Sequence, residues 1–468
     1  MSAESGMNLL NAARSDFMKP TPARERLGIL FDEGSFVELD AFAKVDGKPA
    51  GVVTGYGTVF GTPCYAFAQD PKVFGGAVGR VHAAKIKKVY DLAIKTGAPV
   101  VGIYDSNGAR LAEGNDALAA YGEMLSYVNN LSGVVPQVSV VVGTCAGTAA
   151  MIACSADFVV MSEDAQFFMT APFVAKAKGE KVEGAGTAKN AALSGVAQIV
   201  EKTKEDAVKS ARNLVAMLPM NNLAASPVCE FAGADAVQVV EGDIAATLRT
   251  VADQDSLMEL YKEFGTNVYA ALATMGGYTC AMLATKNSAK LTSDDCSKIA
   301  RIVSFCDAFQ LPVITFVDTE GFVASSEAEL AGSIREAAKL AHVYAEATCP
   351  KVSVVTGKAY GSAFIALAGK NAGADLTVAW PDAVISALEP QTAVAILMGD
   401  KITAKKGRAA VEQEYMETSA NAFAAAADGS IEDVIDPADT RKVILSALEM
   451  LESKRVAKLP KKHSIIPF

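Results

Sequence analysis

The chain has 468 residues, 51% of them hydrophobic and 21% charged, with a formal net charge of −10 at pH 7. That length allows two large domains with ordinary cores. The acidic balance argues against nucleic acid or an anionic membrane as the main partner, and no apolar run is long and unbroken enough to span a bilayer.

In chain order, residues 1–23 predict a short helix ended before Pro20, with Leu9, Leu10 and Ala13 on one face. A helix from Arg24, a stop at Gly34 and a strand to Asp40 come after it. Three strand-like runs are next, Gly51 to Tyr56, Thr58 to Phe60 and Cys64 to Gln69, separated by turn signals. Gly75-Gly76 opens a helix from Gly79 to Lys95, with Ile86, Val89, Tyr90 and Ala93 at helical spacing. Val100 to Asp105 reads as a buried strand, Asp105 to Arg110 as a polar turn and Asp116 to Asn130 as a helix.

The run Val138 to Val142 suits a strand buried on both faces. It breaks at Gly143 and Gly147 and continues as small apolar residues, Thr148 to Ala153, which suit a packed helix. A strand that turns directly into a helix leaves first-turn N–H groups without intrahelical partners, and these can hold an anion or a developing oxyanion. Taken alone, such a turn is better read as tight packing. Beyond it, strands are expected at 157–161 and 166–169. A polar excursion with Lys176, Lys178 and Lys181 spans 173–195, and an amphipathic helix runs from Lys204 to Leu218.

The turn is not alone. Lys351-Val-Ser-Val-Val-Thr-Gly-Lys-Ala-Tyr-Gly-Ser-Ala-Phe364 repeats Gln137-Val-Ser-Val-Val-Val-Gly-Thr-Cys-Ala-Gly-Thr-Ala-Ala150. Upstream, Gly97 to Gly108 lies over Gln310 to Gly321 at a constant offset, 318 − 105 = 213 and 321 − 108 = 213. At the turns the offset is 361 − 147 = 214, and Ala156-Asp157 matches Ala374-Asp375 at 374 − 156 = 218. The chain is two copies of one α/β unit, assigned to residues 1–240 and 241–468. In the second copy, strands are expected near 267–273 and 278–284, with a helix from Asp294 to Phe309.

Other chemistry is thinly represented. The eight cysteines form no Cys-x-x-Cys pair, and residues 1–20 lack the apolar segment of a secretory signal. Reduced, mostly buried thiols in the cytoplasm are therefore expected. Three histidines far apart argue against a histidine metal site. Asp105 and Asp318 end equivalent strands and are read as turn-bracing residues rather than an acid–base pair. Arg110 either reaches a ligand's phosphates or holds Asp105 and Glu113. His82 and His342 are read as surface or interface residues, and Trp380 as core.

Several motifs in register resemble the biotin-dependent acyl-CoA carboxyltransferase family. In the first half these are Gly75-Gly76, Asp105-Ser-Asn-Gly-Ala-Arg-Leu-Ala-Glu-Gly114, Ser132-Gly-Val-Val-Pro-Gln137 and Cys145-Ala-Gly-Thr-Ala149. In the second they are Phe316-Val-Asp318 with Gly321-Phe322, Tyr344-Ala-Glu-Ala-Thr348, Gly361-Ser-Ala-Phe364 and Gly373-Ala-Asp-Leu376. The tail adds Ile431 to Asp436 and His463 to Pro467. The resemblance implies two tandem crotonase-like β-β-α spiral domains, the first serving acyl-CoA and the second biotin. It implies transfer of a carboxyl group between carboxybiotin, borne on a biotin carboxyl carrier protein, and the α-carbon of a short-chain acyl-CoA.

Matched residue by residue, the N–H groups of Gly147 and Thr148 would hold the thioester oxyanion and those of Ser362 and Ala363 the biotin oxyanion. Gly75, Gly76, Ala77, Gly108, Ala109, Arg110 and Ala146 would bind the CoA substrate, and Gly361, Phe364 and Ile365 the biotin. No metal is implied. The partners implied are a biotin carboxylase or a membrane decarboxylase subunit, and a homo-oligomer, commonly of six, in which Gly147 and Ser362 of different chains face one pocket. The same chemistry run backward, in a sodium-pumping acyl-CoA decarboxylase, and a non-catalytic assembly subunit are the alternatives. Thr148, Ser362 and Asn107 stand where the family usually has glycine, Leu388 to Gln391 departs from the usual small residues, and Ile365 occupies a position that varies with acyl preference. No Met-Lys-Met biotinylation site and no glycine-rich ATP-binding lysine loop is present, so biotin is expected in trans.

Overall fold

A computed structural model describes residues 3–181, 183–231, 233–234 and 236–467. The chain divides into two compact units, 1–227 and 228–468. The division falls earlier than the boundary read after residue 240, because residues 228 and 229 already pair with the end of a hairpin of the second sheet. Val228 bridges Tyr278, and the Cys229 N–H donates to the Gly277 carbonyl at 2.8 Å.

The first unit is a mixed sheet in the order Val37–Leu39, Val52–Val59, Thr62–Gln69, Val100–Ser106, Gln137–Ala146, Phe158–Ser162, Ile199–Glu201. The first three strands are antiparallel neighbours and the rest are parallel. The short strand Gln166–Phe168 pairs with the far end of Gln137–Ala146. Two of the expected strands are one: Val52–Val59 runs through Gly57 and turns only at Phe60-Gly61, both at positive φ. Gly55 and Gly57 do not break it. A Cβ at Gly57 would meet the Phe31 ring at 2.7 Å, and one at Gly55 would meet the Phe36 ring at 2.5 Å, so these glycines make room for the rings to lie on the sheet.

Helices connect successive parallel strands, as parallel pairing requires. Arg80–Thr96 buries Ile86, Val89, Tyr90 and Ala93, the face anticipated from spacing. It is stopped by Gly97 in the left-handed region, as helices commonly are. Asn115–Leu131 and Lys204–Met217 complete the covering. The central strand Val100–Ser106 is buried at every position, as expected of a parallel strand covered on both faces.

The second unit repeats the plan. Its order is Met258–Glu259, Val268–Met275, Tyr278–Thr285, Val313–Thr319, Lys351–Tyr360, Leu376–Ala379, Asp433–Val434, with Val384–Ser386 on the far end of Lys351–Tyr360. Even the irregularity is copied. The ladder shifts between Tyr104 and Ser106 in the first unit and between Val317 and Thr319 in the second. On its other edge the long strand of each unit leaves Phe158–Ser162 or Leu376–Ala379 and pairs its last three residues with another short strand. This pair of units is the two tandem crotonase-like α/β fold.

Candidate functional site

Each long strand runs straight into a helix, and the junction between them is the local feature that matters. In the first unit Gln137–Ala146 ends at Gly147, whose φ of 62° and ψ of −130° suit only glycine, and the helix Thr148–Cys154 begins at once. The Gly147 carbonyl accepts from the Ala150 and Met151 N–H groups at 3.0 and 3.3 Å. The Gly147 N–H donates to the Phe168 carbonyl at 2.9 Å. It is therefore not the free donor that the family match implied: pairing with Gln166–Phe168 consumes it. The first-turn amides without an intrahelical acceptor are those of Thr148 and Ala149. Gly147 sets the turn and the next two residues present the N–H groups.

Two loops are stitched beside this turn. The Asn107 N–H donates to the Gly75 carbonyl (3.0 Å), the Val78 N–H to the Gly108 carbonyl (2.8 Å) and the Arg110 N–H to the Val78 carbonyl (2.9 Å). A Cβ at Gly76 would run into the Asp105 carbonyl, and one at Gly108 would lie 3.9 Å from the Ala146 carbonyl. Gly75, Gly76 and Ala77, Gly108, Ala109 and Arg110, and Ala146 to Thr148 are thus brought together. Asn107 narrows the floor, since its Nδ2 would sit 2.5 Å from a Cβ at Gly75.

The charged residues nearby brace this frame. Asp105 Oδ2 accepts from Arg26 at 2.8 Å, and both side chains are nearly enclosed, 12% and 10% exposed. The Asp105 N–H donates to Gln69 Oε1 at 3.1 Å. Gly143 lacks a side chain where a Cβ would collide with the Asp105 carboxylate. Arg110 holds Glu113 at 3.4 Å and Asp46 at 2.5 Å and stacks 4.0 Å over the Phe74 ring. It does not hold Asp105, because Arg26 does. His82 is not a surface residue: it is 1% exposed in the core of Arg80–Thr96. Its Nε2 lies 3.4 Å from Gln69 Nε2. Burial, with the Lys85 charge beside it, pushes its pKa down to about 3, so it stays neutral. His342 lies 3.1 Å from Glu346 along its helix. Lys176, Lys178 and Lys181 are exposed.

The second unit builds the same frame from different residues. Lys351–Tyr360 passes into the helix Gly361–Ala368 through Gly361 at φ 55°. The N–H groups of Gly361, Ser362 and Ala363 lie in its first turn, without intrahelical acceptors. The Glu320 N–H donates to the Ser288 carbonyl (3.1 Å), the Leu291 N–H to the Gly321 carbonyl (2.8 Å) and the Val323 N–H to the Leu291 carbonyl (2.9 Å). A Cβ at Gly321 would lie 3.9 Å from the Tyr360 carbonyl, as at Gly108. Asp318 accepts from the Ser288 Oγ (2.8 Å) and N–H (3.0 Å) and from the Lys358 N–H (2.9 Å), so it too is structural. Ser362 and Ile365 are exposed on the outer face of the helix, Phe364 is half-buried and Ala363 is buried. Trp380 is core, with its Nε1–H on Thr440.

Ser288, Glu320 and Lys358 were missed by motif reading. The constant offset could have found them, since they stand where Gly75, Asn107 and Thr144 stand in the first unit. Six of the eight cysteines are buried and none is in a disulfide. Among the described residues no helix is long and apolar enough to cross a membrane.

Known proteins resemble this chain in sequence and fold. The carboxyl transferase domain model matches residues 21–466. The chain is 38% identical over 478 residues to the methylmalonyl-CoA decarboxylase subunit alpha of Veillonella parvula, covering 95% of this chain and 92% of that one. It is 39% identical over 491 residues to the propionyl-CoA carboxylase beta chain of Saccharopolyspora erythraea, covering 95% and 90%. A crystal structure of transcarboxylase 12S, described as a hexamer assembly with methylmalonyl-coenzyme A and methylmalonic acid bound, superimposes with a TM-score of 0.93 at 33% identity over the full length of both chains. With the domain match spanning nearly all of both units, the chain belongs to the carboxyl transferase family.

Proposed function

We propose that this chain is the carboxyltransferase subunit of a biotin-dependent acyl-CoA enzyme. It would move a carboxyl group between carboxybiotin, borne on a separate carrier protein, and the α-carbon of a short-chain acyl-CoA. The observation that carries this reading is the duplicated turn: two equivalent strand-to-helix junctions, each presenting first-turn amides beside a stitched pair of loops. Two similar oxyanions, one on a thioester and one on a ureido group, call for two such sets of donors. Biotin, when bound, supplies the carboxyl group and a ureido nitrogen able to take the α-proton.

The chain's own part is positional and electrostatic. The Thr148 and Ala149 N–H groups would donate to the thioester oxygen as the α-carbon loses its proton. The Ser362 and Ala363 N–H groups would donate to the ureido oxygen as charge builds there, with Gly361, Phe364 and Ile365 walling the ring. Gly75, Gly76, Ala77, Gly108, Ala109 and Ala146 would admit the acyl-CoA closely because they carry little or no side chain. Arg110, held by Asp46 and Glu113, would shape that entrance. Each such donor contributes on the order of 100–1,000-fold in rate. The acyl group we favour has three carbons, propionyl and methylmalonyl, after the names of the relatives.

The decarboxylase direction is a reading of equal chemistry, favoured by the similarity to the Veillonella protein. The frame would be the same and the partner, a biotin carboxylase or a membrane decarboxylase subunit, would set the direction. A non-catalytic assembly subunit is disfavoured by the intact glycine turns at 147 and 361. We infer a cytoplasmic homohexamer, after the transcarboxylase assembly. The test is transfer from methylmalonyl-CoA to free biotin by the purified oligomer. Biotin-dependent formation of propionyl-CoA is expected, and its absence in folded protein would count against the reading.

A further inference from the structure

The two frames differ in charge, and the difference sits at the mouth of the second turn. The first unit has Asn107 and Thr144, both neutral, where the second has Glu320 and Lys358, at 320 − 107 = 213 and 358 − 144 = 214. Lys358 Nζ lies 2.7 Å from Glu320 Oε1, and the two side chains are 39% and 30% exposed, so water and a ligand can reach the pair. Its backbone is fixed by the bond from the Lys358 N–H to Asp318. Glu320 directly precedes Gly321, whose missing side chain faces the Tyr360 carbonyl, one residue before the donor helix. Glu389 joins from the neighbouring loop: burial first, then the charges of Glu320, Glu389 and Asp318, push the Tyr360 hydroxyl up to about 12.

A mouth that carries two carboxylates is a poor place for an anion unless a cation is built into it. Carboxybiotin differs from biotin by one anionic group, a carboxylate on the ring nitrogen. Resting on the reading of the second unit as the biotin side, we propose that Lys358 recognises the carboxylate of carboxybiotin, and that Glu320 is the partner to which Lys358 returns when that carboxylate is gone. The pair is then a specificity device. It favours entry of the loaded form, and the ammonium does not strand an unpaired charge once the carboxyl group leaves as neutral carbon dioxide. Lys358 binds the starting state and is not the source of rate acceleration, so its loss should raise KM for the carboxylated carrier more than it lowers kcat.

The test is direct binding by calorimetry to the whole oligomer, with two probes. One is an N1′-carboxymethyl analogue of biotin, a stable anion; the other is its uncharged methyl ester. Wild-type protein should prefer the anion. Lys358→Met should weaken the anion by about 10–100-fold, the range for a hydrogen bond to a charged group, and leave the ester unchanged. Lys358→Arg should restore most of the preference, and Glu320→Gln should tighten the anion by freeing the ammonium. Equal weakening of both probes by Lys358→Met, or of neither, overturns the proposal while the biotin side stands. If wild-type protein binds neither probe nor biotin, the biotin-side reading fails and this proposal falls with it.

Discussion

His82 offers a stability test that can be worked from its surroundings. Its ring is buried, held neutral with a pKa near 3 by burial and by the Lys85 charge, whereas an unfolded histidine titrates near 6.5. Between those values the unfolded chain binds a proton that the folded chain refuses, so folding stability must fall as pH drops below about 6.5. The slope for one group is about 1.4 kcal/mol per pH unit, or about 2 kcal/mol between pH 6.5 and 5. Glu346, held down to about 2 by Lys461, keeps its own contribution above its unfolded value of 4.5 and loses it only below this window. Protonation would also strain a chain of contacts toward the site, from His82 to Gln69 and from Gln69 to the Asp105 N–H. Urea unfolding of wild type and His82→Gln at pH 7 and pH 5 is the assay. The variant should lose most of the acid dependence. An identical fall in both proteins would refute the assignment of a buried neutral imidazole.

Removing Arg26 as Met should cost about 3–5 kcal/mol, because Asp105 is left charged and enclosed; chemical denaturation measures it. Gly147→Ala has open space, the nearest atom being 3.9 Å away at the Met169 carbonyl. Its cost is therefore torsional, about 1–3 kcal/mol, and activity should fall further than the melting temperature suggests, since the Thr148 amide is turned away. On the alkaline side, burial pushes Cys64, Cys296 and Cys349 up to about 12 and raises Cys145, Cys280 and Cys306 as well. The unfolded thiols ionise near 9 and the folded ones do not, so their contribution is full below that pH and is lost above it. Lys85 and Lys298, lowered to about 8 by burial, act in the opposite sense. Lys351 is lowered by burial too, but six thiols should outweigh three amines, and the melting temperature should fall between pH 9 and 10.5.

Much of the frame was legible because it is written twice. Valine-rich runs marked the buried strands, and a constant offset tied Asp105 to Asp318 and Gly108 to Gly321 before any geometry was known. What escaped depends on pairings distant in sequence. The Gly147 amide is consumed by Phe168 through a short strand that leaves the main ladder, and nothing near Gly147 signals it. Arg26 reaches Asp105 from 79 residues away. His82 was legible, since it lies four residues before Ile86 on the buried face of its helix, yet its polarity outweighed its position. Lys358 and Glu320 lie inside the repeat, but they differ in type from their counterparts, which is where function departs from the shared fold.

The central claim is that backbone amides, not side chains, stabilise the thioester oxyanion, and Thr148 tests it most directly. Thr148 is the first residue of its helix, where proline is well tolerated and no intrahelical hydrogen bond is lost. Thr148→Pro therefore removes the N–H while leaving the helix start intact, and Thr148→Ala removes the hydroxyl while keeping the N–H. The measurement is exchange of the acyl-CoA α-proton with deuterated solvent by the folded oligomer. A loss of about 100–1,000-fold is predicted for the proline variant, and near wild-type exchange for the alanine variant. Equal inactivity of the two variants would make the hydroxyl the working group and contradict the backbone mechanism.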